Sequence, residues 1–123
     1  KGAITNSLMG EILTNIFIKA KDEDKEKQSF LRMKVFELLN QIVTKLIEEG
    51  KLQIIKLNKD NFDFDIFSYI KGIDYAISDD DAIHLTSAVL INCQNFVTSD
   101  KLAENKILCE KLKSEYNLTI KKI

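Results

Sequence analysis

The stretch from Ser78 to Asp100 constrains this chain more than any other. Ser78 is placed to cap a helix. Asp81 follows three residues later, where a capping box takes a carboxylate. From Ala82 to Ile91 apolar or small residues stand on almost every side, as in a helix packed on more than one face. Phe96-Val97-Thr98 then reads as a very short strand, with Asp100 where that strand would end. Carboxylates at a helix start and at a strand end can converge in an open parallel sheet. Ligand sites of such sheets lie at the carboxyl ends of the strands.

The preceding segments supply helices and a strand. Ala3-Ile4-Thr5 either ends a strand or leads into a helix. From Ser7 to Ala20 the stripe Leu8, Ile12, Ile16 beside Met9, Leu13, Ala20 predicts a helix. Glu11 lies at the edge of that stripe, where a carboxylate reaches a pocket without full burial. By itself it reads as an ordinary solvated Glu. Lys21 to Gln28 is a dense run of mixed charge, either a loop or the exposed start of the next helix. From Ser29 to Glu49, Phe30, Met33, Phe36, Leu39, Ile42, Val43, Leu46 and Ile47 recur at threes and fours, and Gly50 is a C-terminal stop. Lys25, Lys27, Arg32 and Lys34 interleave with Glu26 and Glu37, the pattern of a solvated face rather than a phosphate-binding one.

Leu52 to Leu57 predicts a strand, with Asn58 or Asp60 capping the next helix. Phe62, Phe64, Ile66, Phe67, Tyr69, Ile70 and Tyr75 supply aromatic and apolar bulk. Core packing is the expected use, ahead of stacking on bases. Gly72 is expected to divide this segment into two short helices. After Asp100 a helix runs from about Leu102 to Tyr116, Asn117 ends it, and Leu118 to Ile123 reads as a last strand. Such alternation argues for an α/β fold with a parallel β-sheet covered by helices.

Composition narrows the class. At 123 residues the chain is expected to form a single domain, 1–123, with a real core. The absence of Pro and the presence of only four Gly favour long helices. A net charge of −1 exerts no overall pull on nucleic acid, so any nucleic-acid surface must be a local patch. Cys93 and Cys109 lack a ligand spacing and read as small buried or half-buried thiols in a reducing compartment, hence a cytoplasmic protein. The sequon Asn117-Leu118-Thr119 stands alone and is discounted, and no apolar run approaches membrane-spanning length. Without an initiating Met, the sequence reads as a processed product or a piece that begins partway through a gene.

The motif Asp81-Ala82-Ile83-His84-Leu85-Thr86, followed by Thr98-Ser99-Asp100, resembles the second half of a PIN-domain nuclease. Ile4-Thr5-Asn6-Ser7-Leu8-Met9-Gly10-Glu11 resembles the earlier strand and helix of that family, with Glu11 in the acidic position. The likeness spans nearly the whole chain on few specific residues. The family's opening strand, which carries an Asp, has no counterpart before Lys1. The resemblance implies a PIN-like fold without its first strand, and Glu11, Asp81 and Asp100 as catalytic and metal-binding residues. It implies Mg²⁺ or Mn²⁺ as cofactor and RNA as substrate. It also implies an RNA-processing enzyme or a toxin restrained by an antitoxin-like protein partner. Self-association into a homo-oligomer is a further expectation.

Three carboxylates at close range repel and raise one another's pKa, a penalty that a divalent cation removes. An all-oxygen ligand set favours Mg²⁺ or Mn²⁺ over zinc. Each acid has a plain alternative role. Asp79, Asp80 and Asp81 suit a helix N-terminus, and Asp100 suits an N-cap. Taken one at a time, capping outweighs catalysis; the resemblance, through the joint match of Asp81, Thr98 and Asp100 to the family's spacing, implies a metal-dependent endoribonuclease. His84, the one His, is expected to be packed or hydrogen-bonded. A PIN-like binding or scaffold module without activity is the alternative. A phosphoacceptor domain ranks third, because its acid pair should follow a strand. Activity is expected of a form extended upstream of Lys1 more than of this chain as it stands.

Overall fold

A computed structural model describes residues 2–19 and 25–123, with only the backbone for 16–19. It divides into two compact units, 1–57 and 58–123. The predicted helix positions Ile16 and Ala20, and the charged run 21–24, lie outside the residues whose side chains are described.

The first unit is a strand, two helices and a strand: β1 (Gly2–Thr5), α1 (Asn6–Lys19), α2 (Lys25–Glu48) and β2 (Leu52–Ile55). The open question at Ala3-Ile4-Thr5 is answered by a strand, paired parallel to β2 with Gly2 opposite Leu52 and Thr5 opposite Ile55. Thr5 then turns the chain into α1. Its Oγ1 accepts a 3.0 Å hydrogen bond from the Leu8 N–H, satisfying one of the helix's orphan donors. Leu8, Met9, Ile12 and Leu13 are half-buried, as their spacing predicts. At the far end of α2, Gly50 adopts φ +70°. The Lys51 N–H reaches back to the Leu46 carbonyl at 2.8 Å, the long bond of a Schellman closure.

Periodicity in α2 predicts the helix but not its buried face. Val43 is buried and Val35, Leu39 and Leu46 are half-buried, whereas Phe30, Met33, Phe36, Ile42 and Ile47 stay exposed. The apolar arc of α2 is wider than its packed neighbours cover, so part of the predicted stripe faces out.

The second unit holds α3 (Phe64–Ile73), α4 (Asp79–Leu90), β3 (Asn95–Thr98), a 3-10 helix (Lys101–Glu104), α5 (Lys106–Tyr116) and β4 (Thr119–Lys122). β3 and β4 pair in parallel, Asn95 opposite Thr119 and Thr98 opposite Lys122, with α5 as the crossover. Ile70, Leu85, Leu108, Leu112 and Leu118 are fully enclosed, and Ile77, Ala82, Leu102 and Ile120 complete one core. Five leucine and isoleucine side chains of that kind each contribute about 1.5–3 kcal/mol of burial.

The class is therefore mixed α/β with parallel pairing. Where the sequence predicts one parallel sheet, the described residues form two sheets of two strands each, one per unit. Each four-residue strand pairs across its own helical crossover, so pairing closes within a unit. Three local expectations are corrected. Asp63, not Asn58 or Asp60, caps α3, accepting from the Asp65 and Ile66 N–H groups. Asn58 instead accepts from the Asp60 and Asn61 N–H groups, which closes a turn. Gly72 does not divide α3, which continues to Ile73. The helix expected from Leu102 to Tyr116 is broken at Asn105. Leu102 and Leu108 are both buried, yet six residues apart on one helix they would point about 120° apart. The break lets both face the core. Among the described residues, no helix is long and apolar enough to cross a membrane.

Candidate functional site

α4 begins as its sequence dictates. Ser78, in extended conformation, accepts a 3.1 Å hydrogen bond from the Asp81 N–H through its Oγ. Asp79, Asp80 and Asp81 fill the first turn, where carboxylates oppose the helix dipole favourably. They are not equivalent. Asp79 and Asp80 are exposed, and Asp79 pairs with Lys71 at 3.0 Å, whereas Asp81 is half-buried. Half-burial sets Asp81 apart from Asp79 and Asp80, although Asp63, which caps α3, is half-buried too.

Asp100 sits just past β3. Its N–H donates to Thr98 Oγ1 at 3.2 Å, so the Thr-x-Asp spacing is a local turn with the threonine holding the acid's backbone. Asp100 is exposed, and its Oδ1 accepts from the Leu102 N–H at 2.9 Å, capping the 3-10 helix. The expected capping role is thus present.

Between the two acids the chain reverses. The Cys93 N–H closes on the Ala88 carbonyl, and Asn92 takes φ 56°. β3 returns against the core that α4 contributes to, with Phe96 packed on it. Asp81 thus stands in the first turn of α4 and Asp100 just past the end of β3, both in the second unit. Glu11 lies exposed on α1, in the first unit.

His84 is half-buried one turn beyond Asp81, with Nδ1 shielded from solvent, in keeping with a packed imidazole. Among the described residues no group of three or more His, Cys, Asp and Glu gathers to hold a metal ion by itself. Asp81 and Asp100 each offer carboxylate oxygens, the donor type that Mg²⁺ and Mn²⁺ take.

The aromatic segment divides. Phe67 and Tyr69 pack on the core and Ile70 is enclosed, while Phe64 and Tyr75 are exposed. A shallow groove of about 390 Å³ is lined by Asp60 to Asp65 and Leu90. Leu90 ends α4, about 14 Å along the helix from Asp81, so this groove touches the opposite end of α4 from that acid.

Three residues matter to this region that motif reading passed over. Lys71 reaches from α3 to Asp79 and to the Tyr75 and Ile77 carbonyls. Asp74 Oδ2 accepts from Asn105 Nδ2 at 3.2 Å. Asn105 also caps α5, its Oδ1 accepting from the Leu108 N–H. An Asn three residues before a buried Leu was the available signal for that cap. Nothing local in the sequence signals its bond to Asp74.

Burial raises the thiol pKa of Cys93. Burial, with Glu110 adding, raises that of Cys109. Neither thiol is poised as a nucleophile, which needs a lowered pKa. No family model, curated protein or solved structure matches this chain.

Proposed function

We propose that this chain carries a PIN-type metal-dependent endoribonuclease site, in which Asp81 and Asp100 of the second unit hold Mg²⁺ or Mn²⁺. The observation that supports the reading is Asp81, half-buried in the first turn of α4 beside the exposed Asp79 and Asp80, with Asp100 just past β3 in the same unit. Ser78 and Thr98 accept hydrogen bonds from the backbone N–H groups of these two acids, at 3.1 and 3.2 Å. The acids' roles are to bind and orient a cation and to keep the local charge negative until it arrives. When bound, the cation would supply Lewis-acid chemistry toward an RNA phosphodiester. An antitoxin-like protein partner, in a toxin pair, or a role in RNA processing are both compatible with such a site.

A binding or scaffold module without catalysis is the second reading. It is favoured by Asp100, which spends Oδ1 on the cap of the 3-10 helix. Calorimetry with Mn²⁺ and cleavage of single-stranded RNA decide between them, using the parent, Asp81→Asn and Asp100→Asn. Saturable Mn²⁺ binding and cleavage, both lost in Asp81→Asn, support the nuclease. Equal Mn²⁺ behaviour in all three chains removes the metal site.

A further inference from the structure

We infer that Asp74 and Asn105 are positioning residues for the acid pair: their hydrogen bond ties the connection leading into α4 to the junction that follows Asp100. This rests on the metal-site reading above. Asp74 ends α3 and organises the turn before Ser78. Its Oδ1 accepts from the Ala76 N–H at 2.9 Å, and its carbonyl accepts from the Ile77 N–H at 3.1 Å. Ile77 is buried and anchors that turn in the core. Ser78 and the first turn of α4, with Asp81, follow directly.

Asn105 stands at the matching place on the other side. Its N–H closes the 3-10 helix on the Leu102 carbonyl at 3.1 Å, and its Oδ1 caps α5. That same 3-10 helix is capped at its start by Asp100. Nδ2 of Asn105 is left to cross to Asp74 Oδ2, linking positions far apart in sequence. Both residues are half-buried, so the bond is partly sheltered from water. Each therefore uses one atom to shape its own turn and another to hold the opposite turn. Lys71 adds a second brace on the α4 side, through Asp79 and the Tyr75 and Ile77 carbonyls.

The consequence is geometric. Mg²⁺ and Mn²⁺ demand closely set oxygen ligands, and a site loosened by a fraction of an ångström binds less well. The core residues Ile77, Leu102 and Leu108 keep the two turns roughly in place without the bond. Losing it should thus affect cation binding more than folding.

The test is a swap in the full chain, read by Mn²⁺ calorimetry beside thermal melting. Asp74→Asn sets an amide donor against the Asn105 amide. Asn105→Asp keeps the α5 cap but sets carboxylate against carboxylate. Asn105→Ser also keeps the cap, adds no charge and is too short to reach Asp74. The double swap Asp74→Asn with Asn105→Asp restores a donor facing an acceptor. Each single variant should weaken Mn²⁺ binding by about tenfold, the size seen when residues supporting metal ligands are lost. Because two of the singles change net charge in opposite directions, a loss in both cannot come from charge alone. The double swap should return to within about twofold of the parent.

Folded single variants with parental Mn²⁺ affinity overturn the inference, provided Asp100→Asn binds more weakly. A double swap that fails to recover also overturns it. Parental affinity in Asp100→Asn instead removes the metal site, and the positioning role falls with it.

Discussion

The Lys71 ammonium lies 3.0 Å from Asp79 Oδ1 and donates to the carbonyls of Tyr75 and Ile77, so one side chain of α3 gathers the whole connection into α4. The ion pair itself is mostly exposed on the Asp79 side. Its worth lies chiefly in the Ile77 carbonyl, which has a charged donor in a partly buried place, whereas the bond to the Tyr75 carbonyl is exposed.

That relationship predicts an asymmetry. Lys71→Met, which keeps the apolar stem, should lower stability by about 1–2 kcal/mol, the range for charged hydrogen bonds with some solvent screening. Asp79→Asn should cost less than about 1 kcal/mol, since it removes only an exposed pair and a helix-end charge. Urea unfolding of both variants checks this; equal losses would put the energy in the ion pair.

Two glycines should respond in opposite directions to Ala. Gly50 closes α2 at φ +70°, and a Cβ there meets nothing within 4 Å. The cost of Gly50→Ala is therefore backbone strain alone, about 1–2 kcal/mol. Gly72 lies within α3, and a Cβ there also meets nothing within 4 Å. Gly72→Ala should stabilise by about 0.5–1 kcal/mol through helix propensity. Thermal melts of the two variants should move apart from the parent; a shared direction would contradict the assigned backbone conformations.

At Asp100 capping and metal binding can be separated. Asp100→Asn keeps the acceptor for the Leu102 N–H and should change stability by only a few tenths of a kcal/mol, whereas Asp100→Ala should cost about 1 kcal/mol. Both should weaken Mn²⁺ binding. Denaturation and calorimetry on the same preparations give the comparison, and a variant that loses stability but not Mn²⁺ would leave Asp100 a cap only.

The thiols and one phenol predict an alkaline dependence. Burial raises the pKa of Cys93, of Cys109 and of Tyr116, whose ring meets Tyr69 edge-on at 5.8 Å. For each, the folded state holds its proton more firmly than the unfolded chain. The resulting stability is fully present below the unfolded values, 9.0 for the thiols and 10.0 for the phenol, and is lost as pH rises through the higher folded values. Stability should therefore fall above about pH 9, and Cys93→Ala should flatten part of that slope. Iodoacetamide should modify the native thiols more slowly than a free cysteine at about pH 8, since burial keeps them protonated. An equal rate would mean the thiols are not shielded.

What the sequence determined by itself is local. Ser78 capping α4, Gly50 and Asn117 in left-handed backbone at helix ends, and the short strand Asn95–Thr98 each depend on residues within one or two turns. So do the placement of Asp81 on a first turn and of Asp100 past a strand. Their spacing is written in adjacent residues. Tertiary structure decided what adjacent residues cannot encode. Asn58, Asp60 and Asp63 are all competent caps, and Asp63 prevails as Ile66, Phe67, Ile70 and Ile73 of α3 meet the core while Asn58 and Asn61 close their own turn. The periodicity from Leu102 onward suits a single helix, yet burying both Leu102 and Leu108 requires the break at Asn105. The bond from Asn105 to Asp74 spans thirty-one residues and exists only because two core-anchored turns meet. Capping energies are set by nearest neighbours along the chain. Burial and cross-chain hydrogen bonds are set by which surfaces meet, and that is fixed only when the core closes.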